Sequence, residues 1–164
     1  MRTWRAPGSG GLTHVIALFS SADGDVRHAI EDRLARQLHA RGLHAEPAYA
    51  TLPLATVRDL ELADGRLRAA GFDGIVAMRA VSTSGPVDTF PSYDAYWGAV
   101  WATELPRTVV RLEIDAYSLA DRRLLWSAVS KPVDVQDLAQ LADAMTQLAS
   151  RQLAEQGLVR APAG

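Results

Sequence analysis

Near the amino terminus, an almost continuous apolar run reads Leu12-Thr13-His14-Val15-Ile16-Ala17-Leu18-Phe19. Its length and its β-branched residues are typical of a strand that is buried on both faces. The loop that follows, Ser20-Ser21-Ala22-Asp23-Gly24-Asp25, is rich in residues that form turns and cap helices. Apolar residues then recur every fourth position, which predicts an amphipathic helix that ends at Gly42: Val26, Ile30, Leu34 and Leu38. The chain therefore opens on a strand–loop–helix unit.

The same alternation of strand and helix continues toward the middle of the chain. Residues 43–49 are predicted to form a weaker second strand, residues 54–70 a second helix that starts after Pro53, and residues 75–81 a third strand. Because crossovers between parallel strands are right-handed, the three strands are expected in the spatial order 2-1-3.

The second half of the chain predicts a hairpin and a final helix. Residues 110–117 alternate between apolar and polar types and lead through a turn to a returning strand at residues 124–129. Arg111, Glu113 and Asp115 share one face of the first of these strands, so we interpret them as a solvated row of ion pairs rather than a catalytic pair. Asp134 is predicted to cap a long helix that ends at Gly157.

These elements predict an α/β fold with three main helices in two or three layers. The sheet is expected to be mixed and five-stranded, in the order 2-1-3-4-5, with the fourth strand antiparallel. We expect one domain at residues 12–159, preceded by a flexible lead-in at residues 1–11 and followed by a tail at residues 160–164. Trp126, in the returning strand, is expected to fill the space between the hairpin and the final helix.

Composition narrows the possible functions. Of 164 residues, 48% are apolar and 22% are charged, and the net charge is −2. This balance gives no electrostatic reason to expect binding to nucleic acid or to an anionic membrane. The chain has no cysteine, which excludes disulfides, thiolate metal sites and a cysteine nucleophile. No apolar run approaches the roughly 18 residues of a membrane-spanning helix.

The loop between the first strand and the first helix is the first candidate for a ligand site. Helix N-termini bind anions at the carboxyl ends of parallel strands, and this loop would offer Ser20, Ser21, Asp23 and Asp25. The loop lacks the glycine-rich phosphate-binding motifs, and helix capping explains its residues equally well. His28 and Asp32 lie one helical turn apart, but neither a nucleophile nor a metal-binding motif accompanies them. We therefore predict no catalytic residue, no cofactor and no metal site.

An aromatic segment is the most distinctive feature of the sequence. The long loop at residues 82–106 contains five aromatic rings within a short stretch: Phe90, Tyr93, Tyr96, Trp97 and Trp101. Aromatic side chains contribute much of the binding energy at protein interfaces, and long connections in compact domains are often functional. The rings are therefore a candidate partner-binding surface. The alternative is that they fold back over a hydrophobic core.

Several short stretches resemble an uncharacterised family of lipoproteins from the Gram-negative cell envelope. The shared features include Trp4, the first strand, Glu31-Asp32, residues 40–49, residues 70–76, the aromatic loop, and Leu124-Leu125-Trp126-Ser127. The resemblance covers residues 4 to 159 and implies a fold similar to the N-terminal domain of TolB and to anticodon-binding α/β domains. Members of the family carry a signal peptide and a lipidated cysteine before the domain, and neither is found in this chain.

The resemblance implies a non-enzymatic module in the periplasm, anchored to the outer membrane in its precursor only through a lipid; a cytoplasmic location is the alternative. We expect it to bind an envelope protein or further copies of itself through the aromatic loop, and to bind no nucleic acid. The alternative function is a small hydrolase or nucleotide-binding enzyme that uses the loop at residues 20–25.

Overall fold

A computed structural model of the chain describes residues 2–6, 11–20, 24–53, 59–82, 109–134 and 138–159. Within these ranges the elements are β1 (Arg2–Arg5), β2 (His14–Phe19), α1 (Gly24–Ala40), β3 (His44–Pro47), α2 (Leu60–Ala69), β4 (Gly74–Ser82), β5 (Val109–Ser118), β6 (Leu124–Val129), β7 (Val133–Asp134) and α3 (Leu138–Glu155). A short 3-10 turn, Ala48–Ala50, follows β3.

The strands form one mixed sheet in the order β1-β6-β5-β4-β2-β3, and β7 pairs with β5 outside that path. Strand β2 is parallel to both β3 and β4, whereas β5 is antiparallel to both β4 and β6. The predicted α/β class is confirmed, and the five predicted strands, β2 to β6, keep their predicted relative order. The sheet differs in detail from the prediction, because β1 adds to the outer edge of β6 and β7 adds to the first residues of β5.

Strand β1 lies within the segment that was expected to be a flexible lead-in. It pairs antiparallel with β6, from Arg2 opposite Val129 to Arg5 opposite Trp126. Four residues without an apolar run give no strand signal of their own, so this ladder depends on the pairing with β6. The hairpin therefore does not form an edge of the sheet. The two edge strands of the described sheet are β1 and β3.

Helices cover both faces of the sheet. One core cluster joins α1 and α3 to alternate residues of the strands, and it includes Leu34, Trp126 and Met145. A second cluster joins α2 to the opposite face through residues such as Leu67 and Ile75. Because the side chains of a strand alternate between faces, β2 contributes to both clusters and is buried throughout after His14. The expected position of Trp126 between the hairpin and the final helix is confirmed.

One described helix start differs from the prediction. Asp59 has an extended backbone and its side chain accepts hydrogen bonds from the amides of Glu61 and Leu62, so α2 begins at Leu60. Residues 54–58 of the predicted helix lie outside the described residues. Asp134, the predicted cap of the final helix, is the last residue of β7, and the described part of α3 starts at Leu138. Residues 135–137, between them, lie outside the described residues, so the cap at Asp134 stays a prediction.

The helix ends agree with the prediction. Gly42, Gly71 and Gly157 follow the three helices and have φ values of 94°, 86° and 72°, which favour glycine. Just after α2, a methyl group at Gly74 would lie 2.8 Å from a side-chain carbon of Leu12 and 3.0 Å from the backbone oxygen of Tyr117, so this strand entry favours glycine.

Candidate functional site

The carboxyl ends of the parallel strands hold the loop that was predicted as a ligand site. The backbone amide of Ser20 donates to the carbonyl of Met78, 3.0 Å away, which extends the pairing of β2 with β4. Asp25 is exposed in the first turn of α1. Ser21 and Asp23 lie outside the described residues. Among the residues that are described, nothing distinguishes this loop as a catalytic site.

A buried ion pair lies directly beside this loop, and only its spacing of four residues on the predicted helix signals it in the sequence. Arg27 and Glu31 are one turn apart on α1, with Nε 2.7 Å from Oε1, and their side chains are 4% and 0% exposed. Glu31 also accepts hydrogen bonds from the backbone amides of Phe19, at 3.2 Å, and Tyr49, at 2.7 Å. The guanidinium of Arg27 donates to the carbonyl of Leu52. One carboxylate therefore joins α1 to the ends of β2 and β3.

The charge of Glu31 is balanced by these donors. Burial raises the pKa of Glu31 above its usual value, while the positive charge of Arg27 and the hydrogen bonds from Arg27, Phe19 and Tyr49 oppose that rise. All of these partners donate hydrogen bonds to Glu31, so the arrangement favours the ionised form of its carboxylate. A general acid or base needs a free side toward a substrate, and both oxygens of Glu31 are already occupied.

His28 and Asp32, one helical turn apart on α1, both contact Tyr49. The hydroxyl of Tyr49 donates to Asp32 at 2.7 Å, and the His28 ring stacks on the Tyr49 ring with centroids 3.9 Å apart. The hydrogen bond to Asp32 raises the pKa of Tyr49. The three side chains fasten the 3-10 turn to the outside of α1.

The polar face of β5 is buried, and this corrects the prediction of a solvated row. Glu113 is 5% exposed and Asp115 is fully buried, while Arg111 is half-buried. Arg79 on β4 lies 3.2 Å from both carboxylate oxygens of Glu113, and the Ser127 hydroxyl donates to Asp115 at 2.5 Å. Neighbouring strands thus supply polar partners that the alternation within β5 does not show.

Asp115 is the most strongly perturbed acid among the described residues. Burial raises its pKa well above the usual value, and the adjacent Glu113 carboxyl raises it further, while Ser127 and Arg79 oppose the shift. Its Oδ2 atom has no hydrogen-bond partner in the described structure. A neutral, protonated Asp115 is consistent with this environment.

The aromatic residues Phe90, Tyr93, Tyr96, Trp97 and Trp101 all lie outside the described residues. The strands that flank them are described. Ser82, at the end of β4, lies opposite Val110 near the start of β5. The aromatic segment therefore leaves and re-enters the sheet at the carboxyl end of β4.

The two edge strands carry different surface features. On β1, Trp4 is 39% exposed and, with Leu62 on α2, is one of two exposed large apolar side chains in the described ranges. Beside β3, a shallow groove with a volume of about 470 Å³ is lined by Asp32, Ala35, Arg36, His39, Ala40, Ala45 and Pro47. We name this feature the α1–β3 groove. Since β1 and β3 are at opposite ends of the strand order, Trp4 and the groove belong to opposite edges of the sheet.

The structure also brings together two histidines that the sequence did not connect. His14 and His44 begin β2 and β3 and are directly paired in register, and Glu46 lies two residues after His44. Ligand atoms of these three side chains lie within 4.8 Å of one another. They are the only group of three or more such residues within metal-binding distance in the described part of the chain. The predicted pairing of these two strands brings their first residues to the same end of the sheet. Only the register of the pairing places His14 opposite His44.

None of the described helices is both long enough and apolar enough to cross a lipid bilayer.

No protein-family model matches the chain, and no curated protein sequence matches it. Solved structures do. The PelC dodecamer from Paraburkholderia phytofirmans superimposes with a TM-score of 0.52 at 14% identity, covering 97% of this chain and 96% of that one. A variant of the same protein gives 0.52 at 15% identity, covering 98% and 96%.

Two further similarities are weaker. TolB from Acinetobacter baumannii has a TM-score of 0.46 at 13% identity, covering 95% of this chain and 31% of that chain. The lipoprotein GNA1162 from Neisseria meningitidis has a TM-score of 0.44 at 11% identity, covering 87% and 99%. At these levels no functional inference follows from the two proteins. The chain shares its fold with PelC over nearly its whole length.

Proposed function

We propose that this chain is a non-enzymatic module of the Gram-negative cell envelope that binds further copies of itself through opposite edges of its sheet. The observation that carries the proposal is the pair of unlike edges: Trp4 on β1 at one end, and the α1–β3 groove at the other. An exposed tryptophan and an apolar-walled groove on opposite sides of one subunit suit head-to-tail contact.

Head-to-tail contact uses two different surfaces, so each bound copy still offers one surface to the next. Such contacts produce closed rings when the rotation between subunits closes and filaments when it does not. PelC, which has the same fold, is a dodecamer. This likeness supports assembly of many copies for the present chain and leaves their number open. The envelope location rests on the sequence resemblance.

The aromatic residues between positions 90 and 101 belong to the same proposal as a second contact region. In the sequence they lie between Ser82, the last residue of β4, and Val109, the first residue of β5. Five rings in a short segment are a composition typical of binding surfaces. We propose that they contact a neighbouring copy or an envelope protein partner.

We also propose that the chain has no enzyme activity, and the arrangement of Arg27 and Glu31 supports this. The carboxyl ends of β2 and β3, where α/β enzymes commonly bind substrates, are joined to α1 by Arg27 and Glu31. The hydrogen bonds of these side chains connect them to each other and to backbone groups, and do not point into an open cavity. This is the arrangement of a structural joint.

Two variants, one at each edge, test head-to-tail assembly. Trp4→Ser removes the exposed ring from β1 and leaves the α1–β3 groove intact. Ala40→Arg places a long charged side chain at the exposed last residue of α1, in the wall of the groove, and leaves Trp4 intact. Each variant alone should be monomeric in sedimentation experiments. An equimolar mixture should form dimers, because each variant retains the surface that the other lacks.

Leu62→Ser is the matched control, since Leu62 is the other exposed large apolar residue and lies on α2. It should assemble like the unmodified chain, and circular dichroism should show the same fold for all variants. Assembly that survives both edge variants would contradict the proposal. A mixture that stays monomeric would also contradict it. A companion variant with polar residues at Tyr93, Tyr96, Trp97 and Trp101 tests the second contact region by the same sedimentation readout.

A further inference from the structure

His14, His44 and Glu46 form a cluster at the amino ends of β2 and β3. The rings of His14 and His44 stack with centroids 4.2 Å apart and planes at 14°. The Nε2 atom of His14 lies 2.7 Å from Oε2 of Glu46. The side chains of His14 and Glu46 are 21% and 47% exposed, so the cluster is reachable from solvent. It lies at the opposite ends of these strands from Arg27 and Glu31.

His14 is held in one orientation by its surroundings. The Asp73 carboxylate accepts hydrogen bonds from the Thr13 amide at 2.9 Å, the Thr13 hydroxyl at 2.6 Å and the His14 amide at 3.0 Å. The Phe72 ring lies against the His14 ring, with centroids 4.0 Å apart. Phe72 and His44 both contact the imidazole, which restricts its rotation. Such fixed placement is typical of histidines that bind metal ions.

Both ring nitrogens of His14 lie near oxygen atoms. Its Nδ1 atom lies 3.3 Å from the carbonyl oxygen of Gly71, and its Nε2 atom lies 2.7 Å from a carboxylate oxygen of Glu46. In the tautomer that donates from Nδ1 to this carbonyl, the Nε2 lone pair is directed toward Glu46, as a metal ion shared by the two side chains would require.

We propose that His14, His44 and Glu46 bind one divalent transition-metal ion, with Zn²⁺ as the preferred ion. Two imidazoles and one carboxylate are a common protein ligand set for zinc, with a remaining position open to water. Zinc bonds of about 2.0–2.1 Å place tetrahedral ligand atoms roughly 3.3 Å apart. The present ligand atoms all lie within 4.8 Å of one another, and the exposed His44 would turn out of its stack on His14 to direct a ring nitrogen at the ion.

The proposed ion would join β2 to β3 at this end, in addition to their backbone pairing, the His14–His44 stack and the His14–Glu46 contact. His14 belongs to β2, whereas His44 and Glu46 belong to the edge strand β3. The carbonyl of Gly71 supplies the outer hydrogen bond to Nδ1 that fixes the tautomer of a zinc-binding histidine. The bound ion would thus hold the edge strand β3 against β2. Zinc binding at this site does not depend on the proposed assembly.

The test is titration of the untagged, metal-free full chain with Zn²⁺ by isothermal calorimetry. We expect one ion per chain. His44→Ala and Glu46→Gln should each weaken binding by at least about 10-fold, the lower end of the loss seen even for outer-sphere partners of metal sites. Cobalt(II) should give visible absorption bands with the unmodified chain that are lost in His44→Ala. Glu46→Gln keeps the size of the side chain, so it tests the site even if His44→Ala folds poorly.

His28→Ala is the matched control, because His28 is exposed on α1, stacks on Tyr49 and is not part of the cluster. It should bind zinc like the unmodified chain. Equal affinity in all four proteins would show adventitious binding and overturn the proposal. Failure of the unmodified chain to bind Zn²⁺ with a dissociation constant below about 1 mM would overturn it as well.

Discussion

Trp126 illustrates how a single residue holds this fold together. The side chain is fully buried among residues of the sheet, α1 and α3. Its indole nitrogen has no hydrogen-bond partner among the described residues, so its contribution comes from packing. The sequence predicted this position correctly, because the flat bulk of a tryptophan suits the space between the hairpin and the final helix.

Truncation of Trp126 should therefore be costly, and a smaller ring should recover part of the loss. We expect Trp126→Ala to lower the free energy of unfolding by about 3–5 kcal/mol. Trp126→Phe should cost clearly less, because it keeps an aromatic ring and loses no hydrogen bond. Urea unfolding measures both. A phenylalanine variant as unstable as the alanine variant would contradict a role based on packing alone.

Asp115 should make the stability of the protein depend on pH. Burial raises its pKa in the folded state well above the ordinary value of 3.8 that applies to the unfolded chain. Between these two values the folded protein keeps a proton that the unfolded chain releases, so the free energy of unfolding falls as the pH rises from about 4 upward. The loss is complete above the folded-state pKa.

Asp115→Asn tests this sign, because the amide resembles the protonated acid and can still accept from Ser127. We expect the variant to gain at least about 1 kcal/mol relative to the unmodified chain between pH 4.5 and pH 8, since one pKa unit corresponds to about 1.4 kcal/mol. Urea unfolding at both pH values measures it. Asp121→Asn, in the exposed turn before β6, is the control and should show no such gain. A relative loss for Asp115→Asn at high pH would refute the account.

The polar face of β5 also shows where reasoning from a pattern fails. The alternation of apolar and polar residues located the strand correctly, but it predicted a solvent-exposed face for Glu113 and Asp115. Their burial depends on Arg79 and Ser127, which lie on neighbouring strands far away in sequence. A one-dimensional pattern does not contain these cross-strand partners.

Among the elements, the Arg27–Glu31 pair connects α1 to the end of β2 and to the segment that follows β3. Buried ion pairs are costly to break, because the remaining charge has no water and no partner. Glu31→Ala should therefore lower the free energy of unfolding by about 3–5 kcal/mol. The double variant Arg27→Met/Glu31→Ala should lose less than the sum of the two single variants, because it leaves no unpaired charge.

Glu155→Ala is the matched control for this pair. Arg151 and Glu155 have the same spacing on α3, but their side chains are 54% and 65% exposed with a separation of 4.0 Å. Its loss should stay below about 0.5 kcal/mol. Urea unfolding measures all four variants. Strictly additive losses from Arg27 and Glu31 would contradict a direct coupling between them.

The elements themselves were predictable to different degrees. Apolar periodicity located α1, α2, α3 and the five strands β2 to β6, and glycines marked the helix ends. Helix starts were harder, because Pro53 was read as the start signal of α2, whereas Asp59 forms its cap. Asp134, predicted as the cap of α3, also pairs with Val109 of β5, and its role as a cap stays a prediction.

At the scale of the whole molecule, the sequence predicted the α/β class because right-handed crossovers and a hairpin leave few arrangements. It did not predict β1, whose pairing depends on β6. The candidate zinc site was missed for a related reason. His14 and His44 become neighbours only through the register of β2 and β3. The role of the aromatic residues at positions 90 to 101 remains a prediction.

The proposed function also belongs to the whole molecule, because it requires both edges of one sheet. Trp4 on β1 and the α1–β3 groove would meet only between different copies. A chain that binds through two unlike surfaces should grow beyond a dimer as its concentration rises.

Sedimentation equilibrium of the unmodified full chain tests this claim most directly, over roughly 1 μM to 1 mM, a range that includes weak interfaces. Head-to-tail assembly predicts that the mass increases with concentration and exceeds twice the 17.7 kDa of one subunit. A mass that stays at 17.7 kDa throughout, or that stops at a dimer, would contradict it.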